Sequence, residues 1–182
     1  MSDAAQTPAT ATRTPELEAL VADLGGRTRE ARDGTTCVLL ERAALADAFA
    51  RVHAAGFRQN TLVTAVDHHP RAPRFEVVWM FLRHAPYARI RLACELQGDE
   101  PSVPTCTALW PGASFSEREC YDMFGVRFEG HPDLRRLLMP QGYGHHPLRK
   151  DFPHQGLEPD RLYRAWDRER RARWDAEKEP GA

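Results

Sequence analysis

Three strand-forming runs follow one another with almost no chain between them: "TLVTAVDHH" at 61–69, "RFEVVWMFLRH" at 74–84 and "ARIRLACELQ" at 88–97. Pro70 and Pro73 mark the first turn and Pro86 the second. A parallel crossover needs a dozen or more residues, so these runs are expected to pair antiparallel. The last run alternates, with Ile90, Leu92, Cys94 and Leu96 facing one way and Arg89, Arg91 and Glu95 the other. One face of the sheet should therefore be buried and the other solvated, with helices on a single side. The run "FEVVWMFL" reads as core and not as a cofactor pocket.

The upstream segments supply the covering layer. "PELEALVADLGG" sets Leu17, Leu20, Val21 and Leu24 at helical spacing and stops at Gly25-Gly26. "TTCVLL" at 35–40 reads as a strand. "ERAALADAFARVHAAGF" at 41–57 reads as an amphipathic helix with Leu45, Ala48, Phe49 and Val52 on one side and Gly56 as its stop. The fold class expected is α+β: a two-layer domain with a mainly antiparallel sheet covered by helices, followed by an extended C-terminal arm. Residues 1–14 read as a disordered tail, 15–125 as the domain, 126–158 as a partner-binding arm and 159–182 as a charged helical tail. That tail is expected either to lie mostly in solvent or to dock through Trp166 and Trp174.

Several function classes are disfavoured. A net charge of −1 gives no global attraction to nucleic acid or to anionic lipid. The longest apolar run, "VVWMFL", is far shorter than the ~20 residues of a membrane span. The N-terminus lacks the apolar core of a secretory signal. Cys37, Cys94, Cys106 and Cys120 form no CxxC and are read as reduced thiols. The pairs His68-His69 and His145-His146 have no third ligand at metal-site spacing. Neither GxGxxG after a strand nor GxxxxGK[ST] occurs.

The chemistry-bearing stretch is "SFSERECYDMFG" at 114–125. Ser114 and Glu117 fit a capping box, Glu119 adds acidity to the first turn, and Gly125 supplies a left-handed stop. Arg118 and Asp122, four apart, should meet on one helix face. Catalysis by these acids alone is disfavoured, because side chains at 117, 118 and 119 fan apart by roughly 100° each. Downstream, Asp133 is a candidate cap for a short helix carrying Leu134, Leu137 and Leu138, from which Arg135 and Arg136 project. His131 either fixes the bend before Pro132 or meets a partner carboxylate. "HHPLRKDFP" brings Arg149, Lys150 and Asp151 between two prolines, which reads as extended chain. A partner surface is the reason to order such a run of acidic, basic and apolar groups.

The stretches "ERECYDMFGVRFEGHPDLRRLL" and "HPLRKDFP" resemble the thirty-kilodalton subunit family of respiratory complex I, the C-type subunits of the proton-translocating NADH–quinone oxidoreductase. The matching positions are Glu117-Arg118-Glu119, Asp122, Met123-Phe124, His131, Arg135 and Leu137-Leu138, and the likeness covers about residues 30–153. Ser116 stands where the family commonly has an aromatic, and the tail from His154 departs from the family's Tyr- and Val-rich end. The resemblance implies a non-catalytic structural subunit of the peripheral arm, on the cytoplasmic face of the bacterial inner membrane and held there only through the complex. Its chief partner would be the D-type subunit, the homologue of the hydrogenase large subunit. The cluster-bearing subunits would be neighbours, and no nucleic acid is implied. No cofactor is expected in this subunit; FMN, iron–sulfur clusters, NADH and quinone would belong to partners. Glu117, Arg118, Glu119, Asp122, His131, Arg135, Arg136, Arg149, Lys150 and Asp151 would form the interface. The rival readings are the equivalent subunit of a membrane-bound hydrogenase or formate hydrogenlyase, a freestanding hydrolase using Glu119 or Asp122 with His131, and a binding module unconnected with respiration.

Overall fold

The computed structural model describes residues 14–31, 33–153 and 160–178. Helix α1 (Pro15–Leu24) begins at Thr14, whose hydroxyl accepts from the Leu17 amide, and ends at Gly25 in the left-handed conformation. Strands β1 (Arg27–Glu30) and β2 (Thr36–Leu39) follow, then a short 3-10 turn and helix α2 (Leu45–Ala54). Strands β3 (Gln59–Asp67), β4 (Phe75–His84) and β5 (Tyr87–Leu96) complete a five-stranded sheet ordered β1-β2-β5-β4-β3. The three runs read from the sequence pair antiparallel as expected.

The alternation of β5 holds: Ile90, Leu92, Cys94 and Leu96 are all buried. They share a core with Phe75, Val77, Trp79 and Phe81 of β4 and with Leu45, Ala48, Phe49 and Val52 of α2. The ring of Phe49 meets Trp79 edge-on at 5.3 Å between centroids, an arrangement that favours aromatic pairs. A small second cluster, Cys37, Val78 and Ala93, lies apart from that core.

Two parts of the sheet were not anticipated. The polar stretch Arg27–Glu30 has no apolar alternation, yet it pairs antiparallel with β2 across the Asp33-Gly34 turn. Strand β2 then pairs parallel with β5, because the chain between them is long enough for a crossover.

The chain beyond the sheet forms a βαβ unit. Strand β6 (Ser102–Pro104), helix α3 (Ala113–Phe124) and strand β7 (Arg127–Glu129) make it, with β6 and β7 parallel. Helix α3 packs against β3, and the Trp110 indole before it donates to the Phe57 carbonyl at 2.9 Å. Residues 130–153 follow as turns and irregular chain, and α4 (Asp160–Lys178) is helical. The short helix expected after Asp133 does not form; Asp133 pairs with Arg135 instead. The segment expected as extended chain at 145–153 runs in successive turns, closed by the Arg149 and Phe152 amides on the His146 and Arg149 carbonyls. The tail at 1–13 and the residues 154–159 lie outside the described residues.

Phe49 joins α2 to β4 at the centre of the core, so Phe49→Ala should lower the unfolding free energy by about 3–5 kcal/mol in urea denaturation. A loss under about 1 kcal/mol would show that the core does not depend on this contact.

Candidate functional site

Helix α3 starts two residues earlier than the capping box requires. Gly112 is its N-cap and makes no side-chain cap bond. Ser114 and Glu117 are thus freed from each other. The Glu117 carboxylate turns inward, fully buried, and accepts from the Cys106 amide at 2.8 Å and the Thr105 hydroxyl at 2.5 Å. Burial raises its pKa, and those two donors oppose the rise without cancelling it. Glu117 is a brace between α3 and the chain after β6.

Asp122 is the centre of the site. It is fully buried on α3. One carboxylate oxygen accepts from Arg136 Nη1 at 2.7 Å. The other accepts three consecutive backbone amides, those of Leu137 at 3.0 Å, Leu138 at 2.7 Å and Met139 at 2.8 Å. Burial alone would push its pKa up; the Met139 and Leu138 amides, Arg136 and Leu137 outweigh it and hold the carboxyl below its ordinary value. Such a group is a fixed anion, since hydrogen bonds to the charged form favour it.

The arm reciprocates by covering the end of α3. The last carbonyls of a helix have no partner within it. Here Tyr121 O receives the Gly125 amide, Met123 O the Leu148 amide at 3.0 Å, and Phe124 O the Arg149 Nε at 2.6 Å. The Asp122 carbonyl receives His146 Nδ1 at 3.0 Å, so that ring nitrogen carries the hydrogen. Gly125 has φ 78, and a Cβ there would collide with the Arg149 guanidinium and the His146 ring. Only glycine suits both the backbone turn and the close approach.

A second buried acid fastens the far end of the arm. Asp67, on β3, accepts from Arg74 at 3.0 and 3.1 Å and from the amides of His69 and Lys150, each at 2.9 Å. Arg74 also pairs with Asp151 at 2.8 Å. Burial works against ionised Asp67, but Arg74 and the two amides prevail and bring its pKa to about 2. Asp67, Arg74 and Thr105 escaped the sequence reading. A signal existed for one of them: Val63, Ala65 and Asp67 alternate onto the buried face, so an acid in that register must have donors waiting.

The expected interface residues therefore divide. Glu117, Asp122 and Arg136 are buried and paired within the chain, which corrects the expectation that their mates lie on a partner. Arg149 donates to Phe124 O and Asp99 O. Arg118 does not meet Asp122; it donates to the Arg135 and Arg136 carbonyls and lies over Phe115. His131 bonds Ser114 through Nε2, while its Nδ1 accepts from the Asp133 amide, so the ring fixes the bend. Glu119, Arg135, Lys150 and Asp151 are exposed. Phe115 and Leu138 are exposed as well, at 64% and 63%. Among the described residues no group of three or more His, Cys, Asp or Glu side chains is placed to hold a metal, and no helix is long and apolar enough to cross a membrane.

Asp122→Asn presents a carboxamide NH2, itself a donor, either to the arm's amides or to the Arg136 guanidinium. It should cost about 3–5 kcal/mol of stability in urea denaturation, against less than about 0.5 kcal/mol for the exposed control Glu119→Gln. Asp67→Asn should lower the melting temperature at pH 7. The folded pKa of Asp67 lies below the ordinary value of 3.8, so its contribution is complete above that value and fades as pH falls toward about 2. The gap between wild type and variant should therefore close on acidification; a gap constant from pH 7 to pH 2 would contradict the assignment.

Residues 38–158 match the family described as respiratory-chain NADH dehydrogenase, 30 Kd subunit. A C-type subunit of the NADH-quinone oxidoreductase of Rhizobium meliloti is 48% identical over 96 residues, 53% of this chain and 52% of that protein. Its counterpart in Rhodopseudomonas palustris is 52% identical over 95 residues, 52% of this chain and 47% of that protein. The chain spans about half the length of the curated relatives it matches. A solved trypsin-resistant fragment of Nqo5 superposes with TM-score 0.60 at 31% identity, covering 65% of this chain and 99% of that one. A chain of an archaeal respiratory membrane complex, the membrane-bound sulfane sulfur reductase, superposes with TM-score 0.64 at 23% identity over 75% and 85%, a likeness of fold alone. Carrying the family match over residues 38–158, the chain belongs to the 30 Kd subunit family of the respiratory-chain NADH dehydrogenase.

Proposed function

We propose that this chain is a non-catalytic structural subunit of the peripheral arm of a proton-translocating NADH–quinone oxidoreductase. It assembles the quinone-side module at the cytoplasmic face of the membrane. Its chief partner is the D-type subunit, the homologue of the hydrogenase large subunit. FMN, the iron–sulfur clusters, NADH and quinone are bound by partner subunits. One observation carries this reading. The motif's buried carboxylates, Glu117 and Asp122, are occupied by the chain's own donors, while its large apolar side chains Phe115 and Leu138 are turned outward. A hydrolase needs an acid free to exchange protons with a substrate, and both Asp122 oxygens are engaged by Arg136 and three backbone amides. Exposed aromatic and aliphatic groups beside arginine are the composition of a docking surface.

The surface proposed for the partner comprises Phe115, Arg118, Arg135 and Leu138, with Glu119 beside them on α3. Leu138→Glu should lower recovery of the assembled complex severalfold while leaving the isolated chain's melting temperature unchanged, because only the Leu138 amide serves the fold. Equal recovery of complex by the variant and wild type would remove this surface from the interface. NADH-dependent quinone reduction by the purified assembly would separate this reading from a hydrogenase-type complex.

A further inference from the structure

Among the described residues strand β1 forms one margin of the five-stranded sheet, and all four of its residues are exposed. Alternate residues of an antiparallel edge strand aim N–H and C=O away from the sheet, a template for another strand. The other margin differs, since α3 packs against β3. Beside β1 runs a groove of about 410 Å³, walled by Leu17, Val21 and Ala22 of α1 with Glu18 among them, and by Thr28 and Thr36 of the sheet. The register sets Thr28 opposite Val38, on the core side, and Arg27 and Arg29 opposite Leu39 and Cys37 on the outer side. Arg29 is committed to the buried carboxylate of Glu76. Arg27 is 79% exposed, and its acid neighbour Glu95 stands 3.6 Å away.

We propose that β1 receives an extended segment of a neighbouring protein of the complex as a sixth strand, with an apolar side chain in the α1 groove and an acidic side chain against Arg27. Edge and groove are contiguous, so a strand uses both. A helix laid in the groove would use the groove alone. Side chains of a strand alternate between faces, which sends one toward Leu17 and Val21 and the next toward Arg27. A second copy of this chain is a poor occupant, because two-fold pairing of β1 would set arginines on one face against arginines and offer Thr28 to the groove. This inference rests on the chain being a subunit of a larger complex.

Hydrogen exchange followed by mass spectrometry tests it, on the isolated full chain and on the gently solubilised complex. Peptides covering 27–30 are expected to exchange at least about tenfold more slowly in the complex. Ala22→Trp and Arg27→Glu should each reduce the chain's recovery in the complex severalfold, with Arg27→Lys close to wild type and all three melting like wild type. Unchanged exchange at 27–30 in a complex that contains the chain overturns the inference and leaves the subunit reading intact. Protection already present in the isolated chain also overturns it, since the chain itself or a second copy then covers the edge. Absence of the chain from any complex overturns both.

Discussion

The grip of one carboxylate on three successive amides organises the irregular chain that follows β7. Asp122 accepts from residues 137, 138 and 139 and from Arg136, so the loop after β7 wraps around a single buried anion. In return the loop's later residues close the open carbonyls of the helix that carries Asp122. A buried charge is tolerable only with such complete satisfaction. Each half of this exchange satisfies polar groups of the other, which is how a segment with almost no regular hydrogen bonding holds one shape. Asp67 repeats the device at the other end, holding the Lys150 amide to β3.

Where side-chain period decided the structure, the sequence was legible. The helix at 15–24, the apolar face of α2 and the alternation of β5 all appear where spacing placed them. Where tertiary partners decided it, the sequence was silent. Arg27–Glu30 carries no strand pattern and becomes a strand only because β2 offers an edge. Glu117 looked like half of a capping box because the local spacing is right; the Cys106 amide and Thr105 hydroxyl, eleven and twelve residues away, bind it instead. Prolines around Arg149 suggested extended chain, yet the need to cap α3 bends it into turns.

The charges of the family motif thus have two destinies. Those pointing inward set the geometry of the arm, and those pointing outward, with Phe115 and Leu138, define what a neighbour meets. An exposed ion pair such as Arg135–Asp133 contributes little to the fold by itself. Of the motif positions, Glu117, Asp122 and Met123 are buried within this chain, while Glu119, Arg135 and Leu138 stand exposed.

The closure of α3 by residues further along the chain also imposes an order in time. A ribosome delivers the helix before it delivers His146, Leu148 and Arg149, so the carbonyls of Asp122, Met123 and Phe124 lack these partners until the arm arrives. During that interval Asp122 is a hydrated aspartate with no amides to hold. The closure of this helix therefore waits on residues 146–149, which lie more than twenty positions beyond it.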